Sequence, residues 1–364
     1  MARILILANS DLGLYKFRKE LIEELLIGNE VYISLPNGGY IKDLVHLGCK
    51  FIETRIDRRG INPINDAKLL LHYLKIATQI KPDQVITYTV KPYVYGGIVC
   101  RIKKIPYAVN ITGLGTTFHN EGALKKIIVS LYKVACRNAK VLFFENEENR
   151  QIFIANKIVE EEKTCKLNGA GVSLEEYQFC DYPSDNNKIH FLFIGRVMRE
   201  KGIDELFAVA KRINDKYDNV IFDIVGPFEE DYENTVSELQ KQGYINYHGF
   251  QSDVKPFIEK AHCFVLPSYH EGMANTLLEC GAIGRPLITS NIHGCKEAVI
   301  NEGNGYLVNV GDSEDLYLRI KQFIDVSWDE KVEMGKVSRK IVENFFDKKI
   351  IVEKTIDRLF VRIN

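Results

Sequence analysis

The chain has 364 residues, 46% of them hydrophobic and 27% charged, which suits a soluble globular protein of two ordinary domains. No apolar run approaches the ~20 residues that span a bilayer, and the N-terminal Ile4-Leu5-Ile6-Leu7 run is too short for a signal-peptide core. The net charge of −1 hides an asymmetry: residues 1–140 hold 21 Lys/Arg against 11 Asp/Glu, and the remainder 27 against 38, so the two halves are expected to meet different partners.

In chain order, apolar strand-like runs alternate with helix-like segments. The first half reads as strand Arg3–Ala8, helix Tyr15–Leu26, strand Glu30–Leu35 and strand Lys50–Ile56. Helix Asn65–Gln79, strands Gln84–Tyr88 and Tyr107–Ile111, helix Ala123–Arg137 and strand Val141–Glu145 follow. This alternation predicts a parallel sheet covered by helices on both faces. Around Val172–Lys188 the pattern lapses into a polar stretch with Pro183 and Asp185-Asn186-Asn187, which reads as a linker. Strands then resume at Ile189–Ile194, Val220–Val225, Tyr244–Tyr247, Cys263–Leu266 and Leu287–Ser290, and Lys331–Asn344 and Ile350–Phe360 are helical in pattern.

The predicted fold class is therefore α/β: two facing Rossmann-like, doubly wound parallel-sheet domains with an interdomain cleft. The domains are 1–171 and 189–345. Residues 172–188 join them, and a C-terminal helix near 346–364 packs back on the first domain. Ligands of such sheets bind beyond the carboxyl ends of the strands.

The eight cysteines are scattered, with no CxxC pair and no CxxH cluster. They read as free thiols in a reducing cytosol, and neither a zinc site nor a cysteine nucleophile is indicated. A near-neutral net charge without a recognition module argues against nucleic acid.

Two stretches carry chemistry. Strand Ile189–Ile194 runs into Gly195-Arg196, and Lys201-Gly202 precedes the next helix. Gly195 permits a tight exit from the strand, while Arg196 offers a planar fork and Lys201 a compact charge for phosphate oxygens near a helix start. The plain alternative is a surface turn with two solvated cations. Strand Cys263–Leu266 leads into Glu271-Gly272-Met273-Ala274-Asn275-Thr276-Leu277-Leu278-Glu279. Its helix should begin at Ala274 or Asn275. An ionised carboxylate only accepts hydrogen bonds, so Glu271 and Glu279 suit the hydroxyls of a sugar and a ribose. Glu279 is otherwise an ordinary polar helix residue.

In this order the two motifs resemble the retaining glycosyltransferases of family four, which have the GT-B fold. The resemblance extends over essentially the whole chain through Gly249-Phe250, Pro267-Ser268, Gly281-Ala282-Ile283-Gly284-Arg285-Pro286 and Gly294 with Glu297. It implies that Arg196 and Lys201 bind the diphosphate of a nucleotide-sugar donor, with Glu271 on the sugar and Glu279 on the ribose. It also implies that Gly195, Gly272, Met273, Ala274, Asn275 and Thr276 line the donor, and that Phe250 borders the base. Catalysis without a metal or other cofactor follows from the same resemblance, as does retention of configuration. No Asp-x-Asp motif accompanies it.

The first half departs further. Many relatives carry a Gly-Gly pair after the first strand. Here Asn9-Ser10-Asp11-Leu12-Gly13 stands in its place, leaving Gly13 as the candidate for backbone approach to the donor. Asn110-Ile111-Thr112-Gly113-Leu114-Gly115-Thr116, Tyr15-Lys16-Phe17-Arg18 and Lys91-Pro92 resemble a subgroup that adds N-acetylhexosamine to undecaprenyl-diphosphate-linked sugars in O-antigen, capsule or protein-glycan assembly. Tyr15, Arg18, Lys91, Thr112, Gly113 and His119 are its acceptor-side candidates, although His119 falls out of register and reads first as a surface residue. The donor expected from the subgroup is UDP-N-acetylgalactosamine.

Arg55, Arg58 and Arg59 form a basic loop, and Lys125, Lys126, Lys133 and Arg137 share a helix with Ile127, Ile128, Leu131 and Val134. This surface either docks on anionic lipid headgroups at the inner face of a bacterial cytoplasmic membrane or is a solvated helix face over the core. The competing enzyme class is a non-hydrolysing UDP-sugar epimerase, which uses the same two-domain architecture but needs no lipid acceptor.

Overall fold

The structure, a computed structural model, describes residues 1–57, 62–113, 123–184 and 188–360, with the side chains of 123–125 left aside. The chain divides into two compact units. One is Met1–Ala170 together with the last helix, and the other is Gly171–Lys348.

The first unit runs β1 (Arg3–Leu7), α1 (Asp11–Leu26), β2 (Glu30–Leu35), α2 (Ile41–His46), β3 (Lys50–Glu53), α3 (Pro63–Ile80), β4 (Gln84–Tyr88) and α4 (Val90–Lys103). It continues with β5 (Tyr107–Ile111), α5 (Ala123–Cys136), β6 (Val141–Phe144), α6 (Glu147–Ala155) and β7 (Thr164–Lys166). The strands form one parallel sheet in the order β3-β2-β1-β4-β5-β6-β7. Residues such as Ile4 and Ile6 on one face of β1 and Leu5 and Leu7 on the other are buried in two separate apolar clusters. A strand covered on both faces is apolar at most positions, which is why β1, β4 and β5 read as largely apolar runs, with buried Gln84, Thr87 and Asn110 as exceptions.

The second unit runs β8 (Ile189–Ile194), α7 (Ile203–Asn214), β9 (Val220–Val225), α8 (Glu233–Lys241), β10 (Asn246–Tyr247), α9 (Lys255–Lys260), β11 (Cys263–Leu266) and α10 (Asn275–Ile283). It ends with β12 (Leu287–Ser290), β13 (Gly305–Val308), α11 (Ser313–Asp325) and α12 (Trp328–Phe345). Its sheet is also parallel, in the order β10-β9-β8-β11-β12-β13. Both sheets reverse direction beside their first strand, between β1 and β4 and between β8 and β11. At such a switch point two neighbouring loops diverge and leave a crevice at the strands' carboxyl ends.

The last helix, α13 (Lys348–Phe360), begins at the end of the second unit and packs on the first. Ile351 and Leu359 join the apolar cluster of Ile4, Ile33 and Phe143, and the Leu359 carbonyl accepts from Lys140 Nζ at 2.7 Å.

Two expectations need correction. The strand expected over Lys50–Ile56 ends at Glu53, because Arg55, Ile56 and Asp57 turn away to line a cavity. The stretch read as a linker is, over its described residues 172–184, an integral part of the second unit. Val172 N–H donates to the Phe346 carbonyl at 2.9 Å and Cys180 N–H to the Ile283 carbonyl at 3.1 Å. Arg285, fully buried, donates to the carbonyls of Cys180 and Asp181.

Candidate active site

In the second unit the two chemistry-bearing loops leave the strands that flank the switch point. Gly195-Arg196 follows β8, and Pro267 to Glu271 follows β11. They are welded together. The Glu200 carbonyl accepts from Tyr269 N–H at 2.9 Å and from Ser268 Oγ at 3.1 Å. Gly202 has φ +71°, and a Cβ there would meet the Pro267 carbonyl oxygen at 2.0 Å. Only glycine satisfies both constraints, so this position fixes how closely the cationic turn approaches the acidic loop.

The result is a contact that sequence spacing cannot reveal. Lys201 Nζ lies 2.5 Å from Glu271 Oε1, with both side chains largely buried. Arg196 is more open, with 47% of its side chain exposed, and stands 3.6 Å from Glu229 Oε1. Glu229, on the loop after β9, was not singled out by the sequence, since one more acidic residue in an acidic half carries no signal.

Helix α10 starts at Asn275 with Ala274 as its N-cap, as the sequence predicts. An alanine cap supplies no side-chain acceptor, whereas Ser10, Asn62, Asn146, Asp312 and Ser327 cap α1, α3, α6, α11 and α12. The first-turn amides of α10 therefore present an anion-favouring end. Asn275 Oδ1 is buried and has no hydrogen-bond partner among the described residues. A buried acceptor left this way is costly, and a ligand donor would relieve it. Met273 and Ala274 are buried, while Gly272, Asn275 and Thr276 keep partial exposure.

A second loop braces this one from behind. The Gly294 carbonyl accepts from Ala274 N–H at 2.8 Å. Gly294 has φ +89°, and a Cβ there would fall 2.6 Å from the Gly272 carbonyl oxygen. Glu297 holds the brace in shape, accepting from Gly294 N–H at 2.8 Å and pairing with His293 Nδ1 at 2.9 Å. Glu279 lies one turn into α10 and keeps partial exposure. Burial and the Glu279 carboxylate together push the Tyr177 phenol well above its usual range. Phe250, after β10, presents a 68% exposed ring. Among the described residues, no group of three His, Cys, Asp or Glu is placed to hold a metal ion.

The first unit carries its own crevice at the carboxyl ends of β1, β4 and β5. A cavity of about 160 Å³ is lined by Asn9, Thr89, Lys91, Thr112 and Gly113 among others, so three of the acceptor-side candidates come together there. A larger cavity of about 780 Å³ shares Ile56, Asp57 and Lys91 with it and adds Glu53, Arg55, Asp66 and His72. Lys91 Nζ sits 2.9 Å from Asp66 Oδ1. Burial and a hydrogen bond to the same carboxylate push Tyr95 up to about 12. Thr89, at the start of α4, has φ +69° and ψ 159°, a region nearly reserved for glycine.

Other first-unit candidates are placed elsewhere. Arg18 is an interior residue, 2.7 Å from Glu145 Oε1 and stacked over the Tyr88 ring, so its guanidinium is already committed. Burial raises Glu145, and Arg18 works against that rise. Tyr15 stacks on Tyr40 at 5.2 Å and lines neither cavity. Gly13 spends its N–H on the Ser10 hydroxyl at 3.1 Å. The first turn of that helix also holds Asp11, which repels a phosphate, so backbone approach to a donor at Gly13 is not supported. Arg55 lines the larger cavity. Arg58, Arg59 and His119 lie outside the described residues, as does the Lys125 side chain.

The basic helix α5 shows a feature that its sequence pattern concealed. Ile127, Leu131 and Val134, spaced as a helical stripe, are 57%, 40% and 44% exposed, next to exposed Lys126, Lys133 and Arg137. Helix α4 packs between α3 and α5 and adds exposed Ile102, and α3 adds Ile64 and Leu71. Across these three helices the only acidic residue is the buried Asp66. No described helix is long and apolar enough to cross a membrane.

Comparison with known proteins places these features. Residues 176–341 match the family described as Glycosyl transferases group 1, and residues 3–146 match the Glycosyl transferase 4-like family. The N,N'-diacetylbacillosaminyl-diphospho-undecaprenol alpha-1,3-N-acetylgalactosaminyltransferase of Campylobacter jejuni is 27% identical, over 99% of each chain. The UDP-Gal:alpha-D-GlcNAc-diphosphoundecaprenol alpha-1,3-galactosyltransferase of Escherichia coli is 27% identical, over 92% of this chain and 89% of its own. The structure of Anabaena HepE in complex with UDP and glucose superposes with a TM-score of 0.78 at 17% identity, over 99% of each chain. Both family models and both curated relatives are glycosyltransferases, which sets aside the epimerase reading. The chain is a glycosyltransferase of the GT-B fold, similar to the group 1 family over its second half and to the 4-like family over its first.

Proposed function

We propose that this enzyme transfers N-acetylgalactosamine, or a related hexose or N-acetylhexosamine, from a UDP-sugar to an undecaprenyl-diphosphate-linked saccharide in bacterial surface-glycan or glycoprotein assembly. The observation that carries the donor half is the junction of Arg196, Lys201, Glu271 and the uncapped start of α10 at one switch point. The cations and helix amides gather where a diphosphate leaves, and Glu271 stands beside them for the sugar hydroxyls.

Departure of UDP concentrates negative charge on its terminal phosphate. Preorganised cations aimed at that charge are the largest lever available to such a site. Arg196 and Lys201 fill this role in place of a metal. Glu271 orients the sugar through its hydroxyls, Glu279 grips the ribose, and Phe250 borders the uracil. Transfer proceeds with retention of configuration, the outcome the family resemblance implies. The acceptor saccharide occupies the first-unit cavities around Lys91, Thr112 and Gly113. Their mixture of cations and carboxylates suits a hydroxyl-rich ligand.

The acceptor's lipid locates the enzyme. We assign α3, α4 and α5 as a peripheral docking face for the anionic inner leaflet, with the exposed apolar stripe at the acyl boundary and the lysines over the headgroups. The names of the two curated relatives, which specify undecaprenyl-linked acceptors, support this reading.

The test is a mass-shift assay with UDP-N-acetylgalactosamine and short polyprenyl-diphosphate-linked N-acetylhexosamine acceptors in the presence of EDTA. An added N-acetylhexosamine mass is expected. Activity only with divalent metal, or only with GDP-sugars, overturns the donor assignment.

A further inference from the structure

A hydrogen-bonded chain of three side chains runs from the interior of the first unit to the wall of its larger cavity. Ser34, on β2, stands opposite Ile52 of β3 in the parallel ladder. Side chains two apart share a face of a sheet, so Thr54, just past the end of β3, comes onto the face of Ser34. Their hydroxyl oxygens lie 2.6 Å apart, and both residues are fully buried. Thr54 Oγ1 lies 3.1 Å from Nε2 of His72 on α3. His72 lines the cavity of about 780 Å³ and has no other hydrogen bond among the described residues.

The direction of the chain follows from its protons. A hydroxyl has one proton to donate. If His72 donated from Nε2, Thr54 would pass its proton to Ser34, and the buried Ser34 hydroxyl would keep a proton with no acceptor among the described residues. Such an orphaned donor is costly. Run the other way, Ser34 donates to Thr54, Thr54 donates to His72 Nε2, and both hydroxyl protons are placed. The neutral imidazole then carries its hydrogen on Nδ1. We infer that His72 is a recognition residue for the acceptor: its Nδ1–H donates to an oxygen of the acceptor saccharide, a hydroxyl or an acetamido carbonyl, and Ser34 and Thr54 are positioning residues that hold the ring and its tautomer. The inference rests on the proposed seating of the acceptor saccharide in the first-unit cavities. The cavity is otherwise lined by mobile charges of both signs, such as Arg55 and Lys68 against Glu53 and Asp57. A neutral donor pinned at its far nitrogen has one direction, which is what telling one sugar oxygen from its epimer requires.

The test has two parts. In the first, long-range proton–nitrogen correlation spectra of the histidine rings are recorded on the full chain at about pH 8, above the range in which an ordinary histidine titrates. The chain has eight histidines, so His72 is assigned by the signals lost in His72→Gln. Wild type is expected to show the Nδ1–H tautomer. The double variant Ser34→Ala/Thr54→Val replaces both hydroxyls by apolar groups of similar shape and should shift the ring toward Nε2–H. In the second part, acceptor and donor KM are measured with UDP-N-acetylgalactosamine and a short polyprenyl-diphosphate-linked N-acetylhexosamine. His72→Gln, whose amide reaches the Nε2 position, should raise acceptor KM roughly tenfold and leave donor KM within about twofold. His72→Asn, whose amide nitrogen falls near the Nδ1 position, should stay within about threefold of wild type. The double variant should raise acceptor KM by roughly threefold or more, the factor by which the competent tautomer is depleted.

Four results overturn the inference, each at a different point. If wild-type His72 carries its hydrogen on Nε2, the chain runs the other way and Nδ1 is no donor. If His72→Gln leaves acceptor KM unchanged while Lys91→Ala raises it, the saccharide occupies the cavity without meeting His72. If neither variant changes it, the acceptor is seated elsewhere, and the proposed seating fails together with the inference. If His72→Gln and His72→Asn raise acceptor and donor KM alike, His72 supports the fold of the unit and not recognition.

Discussion

Lys201 and Glu271 lie seventy positions apart and meet at 2.5 Å, on loops leaving two adjacent strands of one sheet. Each motif alone was ambiguous, one a turn with two cations and the other a pair of carboxylates at a common spacing. The contact makes them one device. In the resting protein Lys201 and Arg196 are each matched by a carboxylate, Glu271 and Glu229. On the proposed assignment, a diphosphate entering here would meet two cations already oriented by these carboxylates, Lys201 being largely buried as well.

Removing either cation should therefore impair chemistry more than folding. Lys201→Ala and Arg196→Ala are each expected to lower kcat/KM by about a hundredfold or more, the range seen when one preorganised charge stabiliser is deleted. Arg196 is nearly half exposed, so Arg196→Ala should leave thermal stability close to wild type. Lys201→Ala leaves a largely buried Glu271 without this partner and should lose some stability as well. Steady-state kinetics beside thermal unfolding decide the matter, and near-normal turnover in both variants would remove the phosphate assignment.

Arg285 gives the opposite pattern. It is fully buried and donates to the carbonyls of Ile258, Cys180, Gly284, Asp181 and Glu259, with no carboxylate among these partners. Burial lowers its pKa from the usual guanidinium value. Arg285→Ala strands those carbonyls and empties a large volume, at a cost of about 3 kcal/mol or more. For a domain of this size that corresponds to a Tm lower by roughly 6–12 °C. The surviving folded fraction should keep its donor KM within about threefold, because Arg285 binds the 180–182 segment and not the ligand-facing loop. A Tm within 2 °C of wild type would refute the staple.

Much of this was legible in the chain. The largely apolar runs of β1, β4, β5 and β11 follow from burial on both faces, and Ala274-Asn275 marks the start of α10 because the strand ends at Leu266 and the small residues cluster there. The fastening of residues 173–182 along α10 was not legible, because it depends on hydrogen bonds at the Tyr177 carbonyl and the Cys180 N–H that leave no periodic trace. Arg18 misled for a related reason. The family resemblance made it an acceptor-side candidate, and no spacing reveals that Glu145, 127 positions away, is brought against it. The exposure of Ile127, Leu131 and Val134 was left open by the sequence, since helical spacing of apolar residues is the usual mark of a buried face.

The acid side of the stability profile should report on Asp223. Its carboxylate is shared by His190 Nδ1 and His248 Nε2, each at 2.8 Å. Burial pushes its pKa up, but the hydrogen bonds from the two histidines and the charge of His190 outweigh this and hold it below the ordinary 3.8. A depressed acid stabilises the fold fully above its unfolded pKa and loses that contribution as pH falls through the folded value. The stability gap between wild type and Asp223→Asn, about 1–2 kcal/mol at pH 6, should therefore narrow once the pH drops below 4. Urea unfolding across pH 6 to 3 measures it, and a gap that stays constant over that range contradicts the assigned sign.

The face built by α3, α4 and α5 makes the last prediction separable into two physical parts. Its lysines act through a field that salt screens over about 8 Å at physiological ionic strength, whereas its exposed isoleucines and leucines act through burial that salt does not weaken. Reversing Lys126 and Lys133 to Glu should lower cosedimentation with vesicles containing anionic lipid by roughly thirtyfold or more at low salt, at about 1 kcal/mol for each cation near the surface. The same variant should differ little from wild type on neutral vesicles. Leu131→Asp should lower binding on both vesicle types and at both high and low salt, because it removes insertion of the stripe at its centre. Kinetics on a short, water-soluble acceptor should be unchanged in each variant, since α5 lines neither first-unit cavity. Unchanged cosedimentation in both variants would return α5 to the status of a solvated face and leave the lipid acceptor to be delivered by another surface.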